Sequence, residues 1–147
     1  MQIPIFKPQT EWLPPTDFPD LGKYDEIAID LETKDPNLNK RMGSGSVVGV
    51  GDVVGVSLAT HDWCAYYPIA HEGGGNMDRK MVLNWLQNQM NTESTKIFHN
   101  AMYDICWLRA IGINVKGRIV DTMIAAGVVN ENRLRYDLNG ISRDYLG

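Results

Sequence analysis

From Glu26 onward the apolar positions change period several times, and each period predicts an element. Ile27 to Glu32 (I-A-I-D-L-E) alternates as a strand does, with successive side chains on opposite faces. Asp35-Pro36-Asn37 breaks the chain, and Gly43-Ser44-Gly45-Ser46, just after Lys40 and Arg41, reads as a flexible loop. Val53 to Ala59 and Trp63 to Pro68, joined at Thr60-His61-Asp62, predict an antiparallel hairpin, which Gly73-Gly74-Gly75 ends. Met81, Val82, Trp85, Leu86 and Met90 recur at helical spacing behind Asn76 and Asp78. They predict an amphipathic helix over about 77–90 with Met81, Trp85 and Met90 in the core. Lys96-Ile97-Phe98 is a short strand, Asn100 is placed to cap a helix from Ala101 to Ile111, and Gly112 closes that helix. Arg118-Ile119-Val120 is another strand. Asp121 stands as the N-cap of a helix from Thr122 through Val128, and a last helix starts near Tyr136. A meander followed by strand-helix alternation predicts an α/β fold, a mixed sheet with helices on its faces.

Residues 1–25 have a different texture. Five of the seven prolines (Pro4, Pro8, Pro14, Pro15, Pro19) fall there, predicting an extended leader that Trp12, Leu13 and Phe18 pin to the body at 26–147. The 147 residues match one ordinary domain. No stretch supplies the ~20 apolar residues of a membrane span: the best candidate, Val47 to Ala59, is cut by Asp52 and loaded with glycine. The start lacks the basic-then-apolar design of a secretory signal, so a cytoplasmic protein without a membrane partner is expected. Cys64 and Cys106 sit in apolar segments without C-x-x-C spacing and read as buried thiols. The net charge of −4 argues against a broad cationic face for DNA. It does not exclude a nucleic-acid substrate, because carboxylates gathered to bind cations are balanced once the cations arrive.

The candidate chemistry is acidic. Asp30 and Glu32 lie one residue apart on a strand, so both project from one face, where they repel unless something positive sits between them. An arbitrary D-x-E is most often a strand end emerging into solvent. Here the pair follows the apolar run Ile27-Ala28-Ile29, at the carboxyl end of a buried strand, where open α/β sheets gather ligands. That favours a hard divalent cation with oxygen ligands. Asp104, one turn past Asn100, is favoured by a helix N-terminus in any case. Its apolar neighbours Tyr103 and Ile105-Cys106-Trp107-Leu108 nevertheless suit a purely solvated carboxylate poorly. A third acid near the first two would let one site hold two metals ~4 Å apart, suited to the attacking and leaving oxygens of a phosphodiester.

Ala28-Ile29-Asp30-Leu31-Glu32-Thr33 followed by His99-Asn100-Ala101-Met102-Tyr103-Asp104 resembles the first and second exonuclease motifs of the DEDD 3′–5′ exonucleases. Asp121-Thr122-Met123-Ile124-Ala125-Ala126, Tyr136-Asp137-Leu138-Asn139-Gly140-Ile141 and Tyr145-Leu146-Gly147 are similar to segments of the proofreading domain of family A DNA polymerases, especially the phage type. The D-x-E alone is weak, but the order and separation of all these segments make a strong signal. The resemblance implies a ribonuclease H-like sheet and two-metal (Mg²⁺ or Mn²⁺) hydrolysis at a single-stranded DNA 3′ end, with a polymerase domain in the same longer polypeptide. By position it implies Asp30, Glu32 and Asp104 as catalytic metal ligands, Asp30 bridging both ions. Leu31 and Thr33 would border the terminal nucleotide, and Asn100 and Tyr103 would shape the path of the strand.

There is one departure. The family's third motif, Y-x-x-x-D or H-x-x-x-x-D, follows the Y-L-G segment, and this chain ends first. His99 to Asp104 matches H-x-x-x-x-D, but using it so would leave no second motif. The expectation is therefore an amino-terminal piece of a longer protein that in isolation holds metal poorly. Two rivals stay open: a ribonuclease D-like RNA-trimming enzyme, and a non-catalytic nucleic-acid-binding module of the same fold. Among lesser features, His61 and His71 lack metal-like spacing, and the glycines of Gly43 to Gly55 precede a strand rather than a phosphate-binding helix. Lys34, Lys40, Arg41, Arg133, Arg135 and Arg143 read singly as solvated, though together they could guide a DNA backbone.

Overall fold

The computed structural model describes residues 12–40 and 43–147; the leader's Pro4 and Pro8, and Arg41, lie outside them. Its elements run β1 (Glu26–Lys34), α1 (Gly45–Val48), β2 (Asp52–Ala59), β3 (Cys64–Pro68), α2 (Arg79–Met90), β4 (Thr95–Phe98), α3 (Ala101–Ala110), β5 (Ile119–Asp121), α4 (Thr122–Val129) and α5 (Leu138–Leu146). The five strands form one sheet in the order β3-β2-β1-β4-β5. β1, β2 and β3 pair antiparallel as the expected meander, while β4 lies parallel to β1 and β5 parallel to β4. The parallel pairs arise because a helix intervenes before β4 and before β5.

Alternation along β1 divides the sheet into two faces. Ile27, Ile29 and Leu31 enter the core, while Ala28, Asp30 and Glu32 take the other side. Val56 and Leu58 of β2, Tyr67 of β3 and Phe98 of β4 continue the apolar face, against Trp85 and Leu86 of α2 and Leu108 of α3. Each such fully buried side chain contributes roughly 1.5–3 kcal/mol relative to exposure. α2 starts where expected, with the Asp78 carboxylate accepting from Met81 N at 2.8 Å. Lys96, on the core side of β4, is completely buried. It survives there because Nζ donates to the carbonyls of Thr92, Ser94 and Lys116 at 2.6, 2.9 and 3.1 Å, tying two loops to the strand.

The end of the leader is held by contacts of both kinds. Phe18 stacks on Tyr67 and meets Trp85 edge-on, the Trp85 indole donates to the Pro19 carbonyl at 2.8 Å, and Leu21 is fully buried. Trp12 lies against the Tyr66 ring, but Leu13 is exposed and pins nothing.

Four other expectations are corrected. Met81 is exposed, because it sits in the first turn of α2 on the outer side, whereas Trp85 and Met90 are buried. Cys64 is exposed at the start of edge strand β3 and Cys106 is half-buried; both are free thiols. Within the Gly43–Ser46 stretch, Gly45 and Ser46 open the one-turn helix α1, capped by Ser44 and fastened by the Asp35 carboxylate accepting from Gly45 N at 3.0 Å. Asn100 precedes α3 as foreseen, but at φ 66° its side chain makes no cap bond. None of the helices among the described residues is long and apolar enough to cross a membrane.

Candidate active site

β1 delivers Asp30 and Glu32 to the face opposite the core, as their spacing requires. A bulge follows at once: Glu32 pairs with Gly55 but Thr33 with Val53, so β2 carries one extra residue and the strand is locally re-aimed. Thr33 Oγ1 thereby meets the Tyr103 hydroxyl of α3 at 2.9 Å, and that hydroxyl donates to Asp35 at 3.1 Å. The bridge joins the ends of the two motifs and leaves Tyr103 half-buried. Gly55 is needed beside Glu32, because a Cβ there would fall 1.9 Å from the Tyr66 hydroxyl. Tyr66 is in turn hydrogen-bonded to His71 Nε2.

Asp104 is 3% exposed on α3. Its carboxyl is pushed up to about 7, first by burial and then by the charges of Asp30, Asp121 and Glu32. Asp30 is raised as well, by burial, against a downward pull from His99. Acids drawn from β1, α3 and the end of β5 therefore act on one another across the carboxyl ends of three neighbouring strands. The donors are carboxylate oxygens, and their mutual repulsion is what a hard divalent cation relieves, so the set fits such an ion in kind. Among the described residues no three His, Cys, Asp or Glu side chains are drawn closely enough together to hold an ion as they stand.

Asp121 performs the capping role expected of it and more. It accepts from Met123 N and Ile124 N at the start of α4, and also from Asn100 N at 3.1 Å and Ala101 N at 2.8 Å at the start of α3. Burial alone would raise its carboxyl, but these four N–H groups hold it below the usual value. Of the remaining expected residues, Asn100 is exposed with its side chain uncommitted by a cap, and Leu31 turns into the core, 7% exposed. Leu31 thus offers a ligand the least side-chain surface of the set. Two participants escaped the sequence reading, His99 beside Asp30 and the Asp35 anchor of Tyr103. Only the parallel β1–β4 pairing and the bulge reveal them.

The mixed five-stranded sheet with helices is a ribonuclease H-like fold. Brucella melitensis NrnC with bound Mg²⁺ superimposes with a TM-score of 0.59 at 22% identity, over 86% of this chain and 56% of that one. Pol1 from M. smegmatis does so at 0.60 and 14% identity, over 85% and 19%. Residues 18–147 match the family model DNA_pol_A_exo1, described as 3′-5′ exonuclease, and the chain belongs to that family. Among curated relatives, a DNA-directed DNA polymerase of Pseudomonas phage M6 is 31% identical over 97% of this chain and 22% of its own length. DNA polymerase I of Pseudomonas aeruginosa is 33% identical over 86% and 14%. The chain thus spans about a fifth or less of these relatives.

Proposed function

We propose that the chain is the 3′–5′ exonuclease part of a DNA polymerase, removing nucleotides from a single-stranded DNA 3′ end with a polymerase domain in the same polypeptide. In this reading residues 1–25 lead into the exonuclease domain at 26–147. The observation that carries it is Asp104, a buried carboxyl surrounded by the charges of Asp30, Glu32 and Asp121. Asp30, Glu32 and Asp104 would hold the cations, two Mg²⁺ or Mn²⁺. When bound, such ions supply charge neutralisation at the phosphodiester and a water of lowered pKa. The chain's own residues provide position: the Thr33–Tyr103–Asp35 bridge fixes the distance between the motifs, Asp121 fixes the entry of α3, and Thr33, Asn100 and Tyr103 border the terminal nucleotide and its strand, while Leu31, turned into the core, supports β1 from behind.

The test is degradation of 5′-labelled single-stranded DNA and of matching RNA by the protein containing these residues, with Mn²⁺. A ladder shortening from the DNA 3′ end is expected, abolished by Asp30→Ala with Glu32→Ala while the circular dichroism spectrum is kept. Preference for RNA, or activity surviving the double substitution, would overturn the assignment.

A further inference from the structure

α3 turns Asp104, Trp107 and Leu108 inward, and its other flank bears Met102, Ile105 and Arg109. Beside that flank runs β5, the end strand of the sheet, whose outer side pairs with no strand among the described residues. Between them opens a cleft of about 650 Å³. Arg118, Ile119, Val120 and Asp121 all line it. Successive side chains of a strand point to opposite faces, so four consecutive residues border one cleft along the strand's edge.

The walls beside that edge are apolar where solvent reaches them. Met102, Ile119 and Ile124 of α4 are 74%, 45% and 64% exposed, and Ile105 is half-buried. A short strand and a neighbouring charge, here β5 and Arg118, protect a sheet edge from chance pairing. Four apolar side chains around the same edge do the reverse, and contiguous exposed apolar surface marks a protein contact.

The charges give the occupant a direction. β5 runs parallel to β4, so α3, which connects them, runs back against both. Arg109 in the last turn of α3 and Arg118 just before β5 therefore lie at the same end of the cleft, the end away from the acids. Neither guanidinium has an ion-pair partner among the described residues. At the opposite end the Asp121 carboxylate is already held by backbone N–H groups.

We propose that this cleft docks an extended segment of a protein partner, added to the free edge of β5, with aliphatic side chains against Met102, Ile105 and Ile124 and an acidic end on Arg109 and Arg118. Main-chain pairing supplies affinity, and the apolar walls and the two cations supply selectivity. A nucleic-acid strand would offer phosphates to the arginines but no aliphatic side chains to the walls. The site is separate from the proposed cation ligands and does not depend on them.

The test uses the whole chain and a capped synthetic peptide in which isoleucine and threonine alternate and two aspartates stand at one end. ¹H–¹⁵N spectra should show it shifting the amides of Ile119, Val120 and Asp121. Arg109→Glu with Arg118→Glu should weaken binding at least about tenfold at unchanged circular dichroism, whereas Arg109→Lys with Arg118→Lys should retain it. Lysines in place of the peptide's aspartates, or a proline at its centre that removes a ladder donor, should also weaken binding. No shift along β5, or equal affinity for the parent and the Glu variant, would overturn the proposal. So would a single-stranded oligonucleotide shifting these amides where the peptide does not, which makes the cleft a nucleic-acid path. Dimerisation of the chain abolished by Ile119→Asp would overturn it as well, the occupant then being a second copy.

Discussion

Asp104 combines two properties that rarely coexist in a carboxyl: it is almost wholly buried, and the charges of three other carboxylates act on it. Burial and these charges push it up to about 7, far above the usual aspartate range, so without a cation the folded state binds its proton more tightly than the unfolded chain does. The sign follows directly. The stabilising contribution is complete below about 4 and is lost as pH rises through about 7, a change on the order of 4 kcal/mol that Asp104 shares with its neighbour Asp30. In EDTA the melting temperature should therefore fall between pH 5 and pH 8, and Asp104→Asn should flatten that fall. Parallel pH profiles for the two proteins would mean that Asp104 is not strained by its neighbours. Mn²⁺ should raise the melting temperature of the unaltered protein more at pH 8 than at pH 5, where protons compete for the carboxylates.

At the scale of elements, Asp121 joins two helices to one strand. Its carboxylate serves the starts of both α3 and α4, four backbone N–H groups in all. Asp121→Ala should cost about 2 kcal/mol in urea unfolding, more than a single cap, since both helix entries lose their acceptor. A loss below about 0.5 kcal/mol would show that water replaces it fully. Because α3 carries Asp104, the same substitution should weaken Mn²⁺ binding without removing a proposed ligand.

Asp121 also marks how far the sequence could be read. Its capping of α4 was legible from D-T before an apolar run. Its reach to α3 was not, because that contact exists only once β4 and β5 lie side by side. Asn100 failed as a side-chain cap for the same reason: the carboxylate across the strand pair already occupies the orphan N–H groups, and the backbone is free to adopt φ 66°. Strands β1 to β5 and helices α2 to α5 followed from periodicity within a residue or two, since burial enforces it. α1 was hidden because its stability comes from Asp35, ten residues away, rather than from its own glycine-rich sequence. Met81 and Leu13 show that an apolar residue beside a buried one need not share its face.

The whole molecule is a sheet whose one face is packed with apolar side chains and whose other face exposes acids at the carboxyl ends of its strands. The three proposed ligands were legible as motifs, Asp30 and Glu32 by period and Asp104 by its place after Asn100. Their mutual electrostatics was not legible, because it depends on how deeply α3 sinks. Among the described residues the side chains do not converge as they stand, so a shared site requires that a cation draw them together. Calorimetric titration of Mn²⁺ at pH 7.5 into the unaltered protein, Asp30→Asn and Asp104→Asn addresses this most directly. Saturable binding in the first, weakened at least about tenfold in each variant, is the predicted result; binding of equal strength in all three would contradict a shared carboxylate site.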